Sequence, residues 1–121
     1  VTVGGSGYSE FQQYIESGRM KAIAVTSDVR VKGIAVPTLK EQGINVVIGN
    51  WRGVYGAAGI NDGQRKALID MVVKATKSKA WAEALEKNNW TAALLTGKEF
   101  EDFVDRDFAS LRATMVKAGM V

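Results

Sequence analysis

The residues able to do chemistry in this chain are few. There is no cysteine and no histidine among its 121 residues, which excludes thiol nucleophiles, disulfides, zinc-type sites and imidazole general bases together. The best local candidate is Gly4 to Ser9, GGSGYS, between a predicted strand end and a predicted helix start. In a parallel α/β sheet such a loop faces the ligand crevice, because free N–H groups and the positive end of the helix dipole point into it. Gly5 and Gly7 let a ligand approach the backbone, Ser6 and Ser9 offer hydroxyl donors, and Tyr8 is placed to cover the guest. The expected guest is an anion, a carboxylate or a phosphate. A plain glycine-rich turn accounts for the same residues. The stretch lacks the Gly-Lys-Ser/Thr ending of a P-loop and is a poor dinucleotide fingerprint.

Other constellations carry less. Glu99, Glu101, Asp102, Asp105 and Asp107 suggest paired carboxylates or a metal site, but acid–base work needs desolvated carboxylates, and a solvated helix face explains them better. Trp51, Trp81 and Trp90 are first of all core anchors. Only Trp51, beside Arg52, is placed to approach a ligand. No serine has a histidine base, and no spacing supports a Ser-Lys pair. The expectation is a binding protein without cofactor or metal, not an enzyme.

The elements that would position this loop are read from spacing. Val1 to Val3 reads as a strand tail, and Ser9 to Gln12 as a capping box opening a helix that Gly18 stops. Met20 to Thr26 reads as the next strand, parallel to the first through a right-handed crossover. Pro37 opens a short helix closed by Gly43. Asn45 to Gly59, NVVIGNWRGVYGAAG, is rich in β-branched residues and interrupted by glycine, so it reads as one long, kinked strand and as the seam between two structural units. Helices then dominate: one from Asn61 to about Lys77, one capped by Ser78, and a last one opened by Thr96-Gly97-Lys98-Glu99, with a short strand at Trp90 to Leu95. In the last helix Phe100, Val104, Phe108, Leu111, Met115 and Ala118 recur three and four apart, which predicts one buried face.

Composition sets the outer limits. Hydrophobic residues make up 46% and charged residues 24%, ordinary for a globular protein, and such a length can bury about two-thirds of its unfolded surface. The formal charge is +3, but Lys and Arg are interleaved with Asp and Glu and no aromatics are spaced among them, so nucleic acid is not an expected partner. No apolar run reaches the roughly 18 residues that span a bilayer. The chain begins at Val1 without a signal peptide, so its start reads as a cut with sequence missing upstream.

Several stretches together resemble one family. Gly18-Arg19-Met20-Lys21-Ala22-Ile23-Ala24-Val25-Thr26-Ser27, Arg30, Val36-Pro37-Thr38-Leu39 with Glu41 and Gly43, Trp51-Arg52-Gly53, Thr96 to Phe100 and Lys117-Ala118-Gly119 resemble, in order and spacing, the C-terminal part of the extracytoplasmic solute receptors of tripartite tricarboxylate transporters, the Bug proteins. The match spans the whole chain, which corresponds to less than half of such a receptor. Two departures stand out: Ala57 to Asp62 replaces a proline-containing segment, and the Gly4 to Tyr8 loop is richer in glycine than in many members.

The resemblance implies an α/β fold, part of a two-lobe periplasmic-binding-protein architecture of type II-like form, with a parallel-rich sheet and flanking helices. Residues 1–48 would belong to the second lobe, 49–59 would be the crossing strand and hinge, and 60–121 would complete the first lobe. It implies capture of a small mono-, di- or tricarboxylate in the periplasm by lobe closure, for integral membrane transporter subunits. The ligand-binding residues carried over are Gly5, Ser6, Gly7 and Tyr8, with Trp51 added from its place at the seam. A fragment without its other half is expected to bind poorly, to leave strand edges unpaired and to self-associate. An independent α/β domain binding a phosphorylated metabolite or nucleotide at Gly4 to Ser9 is the alternative.

Overall fold

Local capping signals decide where the helices lie. In the computed structural model, which describes residues 1–121, α1 is Tyr8–Glu16, α2 Asp62–Thr76, α3 Lys79–Asn88 and α4 Gly97–Lys117, with a single 3-10 turn at Lys40–Gln42. Asn61 caps α2 through a reciprocal pair: its Oδ1 accepts from the Gln64 N–H at 2.8 Å, and Gln64 Oε1 accepts from the Asn61 N–H at 3.0 Å. Ser78 caps α3 by accepting from the Trp81 N–H at 3.2 Å. The helix ends are as regular. Gly18 takes φ +75° after α1, and the N–H groups of Gly18 and Arg19 close on the Ile15 and Tyr14 carbonyls at 3.1 and 2.9 Å, a Schellman motif.

Two caps differ from the sequence reading. Helix α1 begins at Tyr8, with Gly7 as its N-cap, and it is Glu10 rather than Gln12 that reaches back, accepting from the Gly7 N–H at 3.1 Å. Thr96 makes no side-chain cap bond at the start of α4.

The larger correction concerns the sheet. The expected α/β fold with a parallel-rich sheet is overturned, because the chain forms four α-helices and no sheet. The only strand-like pairing is an isolated parallel bridge between Val25 and Thr38. The segments read as strands, Val1 to Val3, Met20 to Thr26, Asn45 to Gly59 and Trp90 to Leu95, have no ladder. The physical reason lies in the partner. A strand satisfies its N–H and C=O groups only against a neighbour, whereas a helix satisfies them within itself. Where partners exist, short pieces do pair: Val25 donates to the Pro37 carbonyl at 3.0 Å, Leu39 donates to the Val25 carbonyl at 3.0 Å, and Ile48 donates to the Thr26 carbonyl at 3.0 Å.

The chain divides into two compact units, Val1–Tyr55 with Lys77–Ala92, and Gly56–Thr76 with Ala93–Val121. The first holds α1, the 3-10 turn and α3. Its core is thin, with Ile34 and Thr38 as its buried residues. Thr38 sits at the Val25 bridge and organises the turn after it. Its Oγ1 accepts from the Glu41 N–H at 3.1 Å, while Glu41 Oε2 accepts from the Thr38 N–H at 2.8 Å, a capping box that the sequence reading did not single out. Arg30 Nε donates to both Glu41 oxygens at 2.9 and 3.1 Å, and Gln42 Nε2 donates to the Ile23 and Thr38 carbonyls at 3.1 and 3.2 Å. Arg30, Thr38, Glu41 and Gly43, which carry much of the resemblance, thus hold one turn against the Val25 segment. At the other end of the unit, Asn89 Nδ2 donates to Gln12 Oε1 at 3.4 Å.

The second unit is α2 and α4. Arg65 of α2 lies 3.9 Å from Glu101 of α4. Gly56 approaches α2 closely: a Cβ there would stand 2.9 Å from Ile60 Cδ1 and 3.8 Å from Leu68 Cδ1. Phe100, Phe103 and Val104 on the first half of α4 are half-buried. The expected buried stripe stops there, since Phe108 and Leu111 are 68% and 47% exposed and every residue from Phe108 onward is exposed.

Candidate functional site

The glycine loop sits at the N-terminus of α1, as its sequence predicts, and its donors are in use. Ser6 donates its hydroxyl to Glu10 Oε2, and the same oxygen accepts from the Gly7 N–H at 3.1 Å. Gly7 is extended, at φ −60° and ψ 142°, which turns its N–H back over the first helical turn. Together these groups form a small carboxylate cradle, and the carboxylate in it belongs to the helix itself.

The electrostatics agree with that geometry. The Ser6 hydroxyl, followed by the Gly7 N–H, holds the Glu10 carboxyl below its ordinary range, and the positive charge of Arg52 adds to the effect. Arg52 in turn donates from Nη1 to Asn50 Oδ1 at 2.5 Å and to the Trp51 carbonyl at 3.4 Å. The charge of Arg52 therefore bears on the Glu10 carboxylate. Gly5 and Ser6 are exposed, and Gly7, Tyr8 and Trp51 are half-buried. A Cβ at Gly5 would meet no atom within 4 Å, and one at Gly7 would lie 3.5 Å from Glu10 Oε2. Gly7 is the position where the carboxylate stands close to the backbone.

Glu10 is the residue the sequence reading missed. The available signal was its position three residues after Gly7, the N3 position from which a glutamate folds back on the N-cap N–H. The acidic residues of α4 behave as a solvated helix face: Lys98 pairs with Asp102 and Arg65 approaches Glu101 on the exposed surface. No group of three or more acidic side chains is placed to hold a metal ion.

The comparison with protein families fits these motifs. A family model described as the tripartite tricarboxylate transporter family receptor matches residues 6–119, nearly the whole chain, and the chain belongs to that family. It is thus a member of a family of solute-binding receptors of a transport system. No curated protein and no solved structure matches the chain. No helix is long and apolar enough to cross a membrane.

Proposed function

We propose that this protein captures a small organic carboxylate, mono-, di- or tricarboxylic, in the periplasm and presents it to the integral membrane subunits of a tripartite tricarboxylate-type secondary transporter. The family match over residues 6–119 carries the reading. The loop of Gly5, Ser6, Gly7 and Tyr8 supports it with chemistry: a hydroxyl, a backbone N–H and a helix N-terminus hold a carboxylate there, at present that of Glu10. A solute carboxylate takes over those donors, Arg52 contributes positive charge, and Trp51 supplies an apolar wall. Capture is coupled to a hinge motion absorbed in the glycine-rich segment 49–59, with contacts from residues 1–48 and 60–121 stabilising the closed state. The chain acts as a receptor and carries out no reaction on the solute.

Calorimetric titration tests this with a panel of dicarboxylates, tricarboxylates and aromatic acids, and phosphorylated compounds as controls. Binding of one carboxylate, weakened about tenfold or more by Ser6→Ala or Tyr8→Ala, is the expected result. Binding of phosphorylated compounds alone overturns the carboxylate reading in favour of a phosphate-binding domain at Gly4 to Ser9.

A further inference from the structure

We draw no further inference here: the strongest candidate, the side-chain cluster of Ser6 and Glu10 with the Gly7 N–H at the N-terminus of α1, belongs to the site already described and has no second observation beside it that points to another ligand.

Discussion

At the scale of single residues, two carboxylates do different work with similar bonds. Glu10 fills the loop at the start of α1, while Glu41 ties the 3-10 turn to Arg30 and to the Thr38 N–H. The Thr38 N–H and then the Arg30 guanidinium hold the Glu41 carboxyl below its ordinary value of 4.5. A carboxylate with a lowered folded-state pKa adds stability above the unfolded value, and that stability is lost as pH falls through the folded one. The urea midpoint is therefore expected to drop as pH falls below 4.5, and Glu41→Gln is expected to flatten that decline. An equally steep decline in the variant would show that the Glu41 bonds do not form in solution. Thr38→Val keeps the buried volume and removes the capping hydroxyl. It is expected to cost about 1 kcal/mol, read from the same urea titrations.

Glu10 gives a prediction of the opposite kind. Its carboxylate holds the donors that the proposed solute needs, so Glu10→Gln weakens the internal competitor. Carboxylate affinity then rises by about tenfold, measured by calorimetry at neutral pH. Unchanged affinity would mean that the solute does not use Ser6 and Gly7. The position of the loop was legible in the sequence, because glycine, serine and a following helix are local facts. Its occupancy was not, since it turned on whether Glu10 or Gln12 folds back, and that depends on where the first helical turn begins.

At the scale of elements, legibility followed the range of the hydrogen bonds. The limits of α2 and α3 were written in Asn61, Gln64 and Ser78, whose partners lie within three residues. The strands were not legible in the same way. Val46, Val47 and Ile48 have the composition of a buried strand, yet they are about half exposed, because β-propensity describes how a side chain suits a sheet and cannot supply the neighbouring strand. Ile48 pairs with Thr26 through its N–H and C=O, and the pairing spreads no further. Turns belong with the helices on the legible side. Gly43 takes φ +86°, where its N–H and that of Ile44 close on the Lys40 and Leu39 carbonyls at 3.1 and 2.9 Å. Space is not limiting there, since a Cβ would touch nothing within 4 Å. Gly43→Ala is therefore expected to cost about 1 kcal/mol from backbone strain alone, seen as a lower urea midpoint with unchanged helix content.

At the scale of the whole molecule, the division into two interleaved units governs how the chain can be cut. The two units also impose an order in time. Each is built from two separated stretches, and the stretches interleave along the chain: Val1–Tyr55, then Gly56–Thr76, then Lys77–Ala92, then Ala93–Val121. During synthesis from the N-terminus, α1 leaves the ribosome long before Asn89, its hydrogen-bonding partner through Gln12. The first unit therefore waits, incomplete, while α2 of the second is made, and α2 waits in turn for α4. No single cut in the polypeptide releases either unit free of residues of the other. Neither is encoded as one continuous piece of gene free of the other's residues, so an insertion or deletion within 56–92 falls inside one unit and between the two stretches of the other.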